Sequence, residues 1–314
     1  MPTLTPSNLR AFAAVVEEGG FTAAAARLHA TQSGVSQQIA RLERGLGVRL
    51  LVRSPNGVTQ TPAGRTLYGQ AVRILREIEA TEATLGTYRK GVSGSIHIGL
   101  MPAITRSVSG PVQRRLMSEH PNVRIVVTEM MSSEVIEGVV AGRIDLGIVP
   151  AFNAPDALRV EPVGRTREVL VTRGRDHPDH MREIALAELP PLRLVLPSPG
   201  NLRRDAILAR LKAARVAVTD VLDLDSMFGT LEFIEHSDRA TILPAIMVTP
   251  EIEGAGLCVR PIRSPSLLLE LMAIEPASRA GSPIAPLWVA GLVERVRTLN
   301  GRFAAGVRAS GQSA

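Results

Sequence analysis

Apolar residues recur at helical spacing through the first part of the chain. They form one face of a predicted helix from Pro6 to Glu18, and a second, shorter helix is predicted over Thr22 to His29. A third helix is predicted to begin after the N-cap residue Thr31, with Val35 and the apolar residues four and seven positions later facing inward. This pattern predicts a three-helix unit with a helix-turn-helix at its centre.

The polar face of the third predicted helix carries residue types that contact DNA. Glutamine and arginine can form paired hydrogen bonds with base edges, whereas serine and threonine reach phosphates and smaller base features. Any two short amphipathic helices joined by a turn share this pattern, so the motif depends on its context. The candidates are Thr31, Gln32, Ser33, Ser36, Gln37 and Arg41, with Gln37 and Ser36 as the first choices for reading bases.

A hairpin is predicted directly after these helices. Asn56-Gly57 lies between two short β-prone runs, which is the strongest local signal for a tight hairpin. Arg49 and Arg53 flank this predicted wing and are candidates for phosphate contacts, although an exposed arginine is by default only a solvated charge.

A long helix follows, with Thr61 as its N-cap and Pro62 in its first position. Its apolar residues alternate in steps of three and four, which predicts a heptad seam along a helix of about 40 Å. The alternative is an ordinary helix packed on its own domain; the seam is favoured because paired DNA half-sites need two reader helices held apart. The residues assigned to dimerisation are Leu67, Ala71, Ile74, Ile78 and Leu85.

From Ile96 onward, predicted strands and helices alternate, which indicates a parallel α/β sheet built as two lobes. Segments near 163–165 and 261–263 are predicted to cross between the lobes. The predicted domains are a DNA-binding domain (1–60), a linker helix and hinge (61–92), a ligand-binding domain (93–301, with lobe I at 93–163 and 265–301 and lobe II at 164–264) and a flexible tail (302–314).

A ligand site is predicted where strands end and helices begin. Open α/β sheets bind ligands at the carboxyl ends of their strands, where helix N-termini present free N–H groups. An arginine there would suit a carboxylate, although an exposed helix arginine is the simpler interpretation. The candidate residues are Pro102, Thr105, Ser132, Ser198, Asn201 and Arg203.

The charge of the chain is unevenly distributed. Residues 1–92 hold eleven arginines and lysines against six glutamates, which is +5 of the chain's net charge of +6. This is the footprint expected where one segment meets a polyanion such as double-stranded DNA. The start of the chain is mixed and polar, and no apolar run of membrane-spanning length follows, so a soluble cytoplasmic protein with no membrane association is expected.

The sequence offers little support for an enzyme. It contains no P-loop, G-x-S-x-G or G-x-G-x-x-G motif, so no catalytic residues and no cofactor are predicted. The single cysteine, Cys258, excludes an intrachain disulfide and a cysteine cluster for metal. His177-x-x-His180 lacks a helical frame and a third ligand, so no metal site is predicted. A pure solute-binding protein would suit residues 93–300 but not the basic first segment.

The segment from Leu9 to Gly64 resembles the N-terminal signature of LysR-type transcriptional regulators, through L-x-x-F-x-x-V-x-E-x-G-x-F-T-x-A-A, V-S-x-Q-I-x-x-L-E-x-x-L-G-V-x-L-L-x-R and T-x-T-x-A-G. Ser33 stands where this family often has proline, and Gly34 is a helix-interior glycine that costs roughly 1 kcal/mol relative to alanine. Local weakening of the helix and close approach to DNA are both open explanations for this glycine.

The resemblance implies an α/β protein with an N-terminal winged helix-turn-helix, a long linker helix and a C-terminal two-lobed sensor similar to periplasmic binding proteins. It also implies self-association as a dimer or tetramer, binding of promoter DNA, a small-molecule effector and contact with RNA polymerase. Within the family, the sequence leans toward the nitrogen-assimilation-control branch.

Overall fold

The computed structural model describes residues 4–54, 57–90, 92–174, 178–248, 256–278 and 281–312. The chain forms two compact units, one of residues 1–89 with 141–143 and the other of residues 90–140 with 144–314.

The first unit is built around three short helices. Phe12 and Leu42 are fully buried between them, and Gly19 and Gly47 end helices in the left-handed conformation, with φ of 66° and 70°. The second helix begins at Phe21 and ends at Arg27, so the prediction of 22–29 is displaced. The elements are α1 (Pro6–Glu18), α2 (Phe21–Arg27), α3 (Gln32–Leu46), β1 (Leu51–Ser54), β2 (Gly57–Gln60) and α4 (Pro62–Lys90).

The predicted hairpin forms as β1 and β2, which pair antiparallel with Leu51 opposite Gln60. Asn56 of the predicted turn lies outside the described residues. Gly57 has a φ of 122°, and a Cβ there would come within 2.9 Å of the Gly19 carbonyl oxygen. The N–H of Val58 donates to that same oxygen at 2.9 Å, so the hairpin is attached to the end of α1.

The start of α4 is fixed to the same unit. The Thr61 hydroxyl accepts from the Gly64 N–H at 3.0 Å, and a Cβ at position 64 would lie 2.1 Å from the Leu50 carbonyl oxygen. Ala71 is completely buried in the core of this unit, and Leu67 packs against that core. The assignment of Ala71 to a dimer seam is therefore wrong, because it has no surface to offer a partner.

The second unit alternates strands and helices. Its elements are β3 (Gly94–Leu100), α5 (Pro102–Ile104), a π-helical turn (Thr105–Ser109), α6 (Gly110–Glu119), β4 (Val123–Glu129), α7 (Ser132–Val140), β5 (Leu146–Pro150), β6 (Leu158–Arg173), β7 (Ile184–Ala185), a 3-10 turn (Leu186–Glu188), β8 (Leu192–Leu196), α8 (Leu202–Ala213), β9 (Val218–Asp223), α9 (Met227–Glu235), β10 (Ala240–Pro244), α10 (245–248 in its described part), β11 (Leu257–Ser264), β12 (Leu268–Pro276) and α11 (Ala285–Gln312).

The long strand β6 runs through both lobes. Its first part pairs with β12 up to Arg167, and its second part pairs with β10 from Glu168 onward. The strand order is β4-β3-β5-β12-β6-β10-β8-β9, with β11 also paired to β6. β3 is parallel to β4 and β5, and β8 to β9 and β10, whereas the pairs along β6 and β12 are antiparallel. The sheet is therefore mixed rather than parallel throughout.

The last helix includes the segment that was predicted to be a flexible tail. α11 continues to Gln312. Trp288 and Leu292 are buried in the core of lobe I, whereas Phe303, only 4% exposed, lies in the core of lobe II with Val307 packed against it. These apolar residues hold 302–312 in the helix, where a flexible segment was expected.

Candidate functional site

α3 presents its polar residues to solvent and its apolar residues to the core. Val35, Ile39 and Leu42 are buried. The side chains of Gln32, Ser33, Gln37 and Arg41 are exposed, so these predicted DNA-contacting residues are accessible. A helix held from behind by its apolar face can enter a groove without losing its packing.

The first turn of α3 gives a structural reason for Gly34. The Thr31 hydroxyl oxygen accepts a hydrogen bond from the Gly34 N–H at 3.1 Å and contacts the Ser33 hydroxyl at 3.3 Å. A Cβ at position 34 would lie 3.0 Å from that threonine oxygen, tighter than most real Cβ contacts. Glycine therefore leaves room for the cap that starts the helix.

The wing is attached to the helices by Arg53. Its Nη2 donates to the Ser36 hydroxyl at 2.9 Å, and its guanidinium carbon lies 4.2 Å from the centre of the Phe21 ring. The first contact joins β1 to α3, and the second is a cation–π interaction with α2. Arg53 and Ser36 are therefore a connected pair in the free protein.

Glu43 was missed by the sequence argument and holds the start of the wing. Its Oε1 accepts from the N–H groups of Leu50 at 2.7 Å and Leu51 at 3.2 Å. Arg49 lies 3.7 Å from the other oxygen, with its own side chain 85% exposed. This leaves the Arg49 guanidinium accessible to a phosphate. The available signal was an acidic residue on α3 just before β-prone residues.

Further along α4, apolar side chains are exposed. Ile74 is 37% exposed and Leu85 is 62% exposed, while Ile78 is half-buried. A large aliphatic side chain with this exposure on a long helix marks a surface that a partner could cover.

A cavity of about 50 Å³ lies between the two lobes of the second unit. Four of the predicted residues line it, namely Pro102, Ser132, Asn201 and Arg203. The complete lining is Met101, Pro102, Ala103, Met131 and Ser132 from lobe I, and Val195, Leu196, Pro197, Asn201, Arg203, Leu224, Asp225, Met227, Thr230, Thr241 and Leu243 from lobe II.

The other two predicted residues are engaged elsewhere. Thr105 donates its hydroxyl to the Met101 carbonyl oxygen at 3.2 Å, and it is not part of the cavity wall. Ser198 donates from its N–H and its hydroxyl to the Asp225 carboxylate, at 2.9 and 2.6 Å. These two hydrogen bonds hold the pKa of Asp225 below its usual value, with a smaller contribution from the Arg204 charge.

The sequence led us to expect an arginine that binds the carboxylate of a ligand, but the structure gives Arg203 a carboxylate partner within the protein. Its Nε and Nη2 donate to the two carboxylate oxygens of Glu168 at 2.7 and 2.9 Å, and Nη2 also donates to the Ile242 carbonyl oxygen. The side chains are 8% and 3% exposed. A bidentate pair buried this deeply neutralises the charge of the guanidinium.

The remaining polar groups of the cavity are mostly satisfied within the protein. Asn201 caps α8 by accepting from two N–H groups, while Thr230 and Thr241 donate to the carbonyl oxygens of Ser226 and Val195. Ser132 lines the same cavity from lobe I and is 2% exposed. Asp225 follows β9, and the strand-end argument applied to that strand would have found it.

Within the described residues, no group of histidine, cysteine and acidic side chains is arranged to hold a metal. His177 lies outside those residues, and His180 accepts the N–H of Val259 at 3.2 Å through Nδ1. Cys258 is fully buried in β11, and burial raises the pKa of its thiol. Among the residues that the structure describes, no helix is long and apolar enough to cross a bilayer.

Comparison with known proteins agrees with this geometry. Residues 6–65 match the family model described as "Bacterial regulatory helix-turn-helix protein, lysR family", and residues 89–297 match "LysR substrate binding domain". The nitrogen assimilation regulatory protein nac of Klebsiella aerogenes is 26% identical over 279 residues, covering 88% of this chain and 90% of that protein. The dual regulator OxyR of Escherichia coli K12 is also 26% identical, over 94% of this chain and 96% of its own, so identity favours neither branch.

Among solved structures, full-length CbnR in complex with its target DNA has the same fold. It superposes with a TM-score of 0.68 at 21% identity, covering 93% of this chain and 100% of that one.

Proposed function

Since the chain belongs to the LysR family of bacterial helix-turn-helix transcriptional regulators, we propose that α3 enters the major groove of promoter DNA and that the wing contacts the backbone beside it. The observation that carries this is the exposed polar face of α3, held by a buried apolar face and by the Arg53 contact to Ser36. Gln37 is the principal base reader, with Gln32, Ser33 and Arg41 beside it, and Arg49 binds a phosphate.

The protein acts as a dimer or a tetramer, with α4 pairing through Ile74, Ile78 and Leu85. Two heads then reach successive major grooves of a site with dyad symmetry. Bound upstream of a gene, such an assembly contacts RNA polymerase and changes its recruitment. DNA of this kind lies in the cytoplasm, where we place the protein.

The cavity between the lobes binds a small-molecule effector that changes the geometry with which the heads meet DNA. An effector can do this only if it binds the two geometries with different affinity. The chain has no catalytic role in this account. It also does not sense oxidants through thiolate chemistry, because Cys258 is buried with a raised pKa, which leaves little reactive thiolate.

Selection from a pool of random DNA tests the proposal. The full chain should enrich a dyad whose half-sites lie about one helical turn apart. The matched control is the Gln32→Ala/Gln37→Ala variant, which keeps the phosphate contacts and should enrich no common sequence. Enrichment of the same dyad by both proteins would exclude Gln32 and Gln37 as the base readers, and recovery of unrelated sequences by the native chain would exclude specific DNA binding.

A further inference from the structure

The arginine in the cavity's lobe II wall and the arginine next to it are both neutralised within the protein. Arg203 is held by both oxygens of Glu168. Arg204, next along α8, donates to the Asp223 carboxylate and to the Pro197 carbonyl oxygen, with its side chain largely buried. A ligand carboxylate would meet two guanidinium groups whose charge is already balanced by an internal carboxylate, which reduces the gain of binding.

Negative charge remains at the same wall. Asp225 lines the cavity, and two hydrogen bonds from Ser198 stabilise its ionised form at neutral pH. Because Ser198 is uncharged, these bonds leave the negative charge of the carboxylate in place. Arg203 and Asp225 are the charged residues among those that line the cavity. Glu168 lies behind the wall and neutralises Arg203, while Asp223 pairs with Arg204, the cation whose charge acts on Asp225. An anion placed beside Asp225 is repelled by its charge, whereas a donor or a cation is attracted to the carboxylate.

The helix N-termini around the cavity also have partners. Glu134 accepts the Met131 N–H at 2.8 Å in front of α7. Asn201 caps α8, and the Ser226 hydroxyl accepts from the Gly229 N–H at 3.1 Å at the start of α9. At α8 and α9, N–H groups that usually attract a carboxylate in an open α/β fold are therefore filled by the protein's own acceptors, whereas at α7 the filled N–H belongs to the residue before the helix. Arg106 stacks over Phe228 at 5.7 Å and is not part of the cavity wall.

The rest of the wall is apolar and adaptable. Met101 and Met131 face the cavity from lobe I and Met227 from lobe II, beside leucine, valine and proline. Methionine thioethers pack around irregular apolar shapes. The cavity of about 50 Å³ is smaller than the roughly 150 Å³ apolar cavity that accepts benzene, so a ligand of several heavy atoms has to separate the lobes slightly.

We propose that the effector is a small apolar molecule with an uncharged or cationic, hydrogen-bond-donating head directed at Asp225, and that organic anions are rejected. The Ser132 hydroxyl, buried on the opposite wall, supplies the second polar contact. This inference rests on the proposed effector function of the cavity and specifies its ligand class.

Three probes of nearly equal shape separate charge from fit, namely isobutyrate, isobutyramide and isobutyramidinium. Each is titrated into the full-length protein at neutral pH, with dissociation constants from ligand-observed NMR. We expect isobutyramide and isobutyramidinium to bind at least about tenfold tighter than isobutyrate. Isobutyramidinium, which can pair with the Asp225 carboxylate, should bind tightest of the three, and Asp225→Asn should lower its affinity to that of isobutyramide, which still binds.

Two cavity-filling variants, Met227→Trp from lobe II and Met131→Trp from lobe I, locate the binding. If isobutyrate binds as tightly as the other probes and its binding is lost in these variants, the charge preference is overturned while the cavity remains the effector site. Failure of all three probes to bind, or binding that survives in both variants, would overturn the effector function of the cavity and the charge preference with it. Either variant suffices if the other does not fold.

Discussion

Gln37 and Arg49 have different surroundings, and this predicts different effects on DNA binding. Gln37 lies on the exposed face of α3, so Gln37→Ala should cost about 1–3 kcal/mol on the specific site and little on unrelated DNA. Arg49→Ala should weaken binding to every sequence similarly and reduce the salt slope by about 0.9. Fluorescence anisotropy on specific and scrambled duplexes at several salt concentrations measures both.

Arg49 is the better phosphate test than Arg53. The Arg53 side chain also contacts Ser36 and Phe21, so its removal would disturb the position of the wing. Equal loss of specificity in Gln37→Ala and Arg49→Ala would contradict the assignment of the two roles.

The buried pair of Glu168 and Arg203 should matter for folding. Glu168→Gln leaves the Arg203 guanidinium without its charge partner in a buried site, and we expect the free energy of unfolding to fall by about 3–5 kcal/mol. The matched control is Glu183→Gln, whose pair with Arg167 is exposed and should contribute less than about 1 kcal/mol. Urea denaturation followed by circular dichroism measures the free energy of unfolding of both variants. Equal losses would mean that burial does not determine how much an ion pair contributes to stability.

Sequence reasoning at single residues succeeded where the reason was local. The Thr31 and Thr61 caps follow from spacing to the next helix, and both form. The role of Arg203 could not be deduced in this way, because its partner Glu168 lies in a strand far away in the sequence and only the folded sheet brings them together. The reason for Gly34 likewise needed a distance.

Among the elements, α11 makes the most direct prediction about stability. Phe303 fills the core of lobe II, while the same helix fills the core of lobe I through Trp288. Phe303→Ala should lower the free energy of unfolding by about 3–5 kcal/mol. Arg308→Ala, an exposed change on the same helix, should stay within about 0.5 kcal/mol. Urea midpoints that match for the two variants would indicate that residues after 301 do not stabilise the fold.

The exposed part of α4 predicts the oligomeric state. Leu85→Lys puts a charge into the proposed seam and should shift the protein toward monomers in sedimentation velocity runs at micromolar concentration. Glu79→Lys adds the same side chain at an exposed position on another face and should leave the distribution unchanged. A native chain that is already monomeric, or a Leu85 variant that assembles like the native chain, would contradict the seam.

Elements with strong periodicity were predicted closely, including α1, whose bounds of Pro6 and Glu18 agree with the prediction. Residues 184–188 form β7 and a 3-10 turn, because so short a segment takes its conformation from the pairing with β11. The segment 302–312 was predicted to be flexible because many of its residues are small or polar, and this prediction was wrong. Its signal was present in Leu299, Phe303 and Val307, spaced by four.

At the scale of the whole molecule, the positive charge and the cavity lie in different folding units. Of the net charge of +6, +5 lies in residues 1–92, the part with α3 and the wing. The other unit supplies a cavity between two lobes joined by β6. Coupling between them has to appear as a change in DNA affinity or footprint when the cavity is filled, and equally as a change in ligand affinity when DNA is bound.

The most direct test of the account is a nuclease footprint of the full-length protein on the DNA upstream of its own gene, at two salt concentrations. We predict protection of a dyad with half-sites about one helical turn apart, which persists in excess unrelated DNA at the higher salt. Protection that is uniform along the DNA and disappears at the higher salt would show binding through phosphates alone, and it would contradict sequence reading by α3 at this promoter.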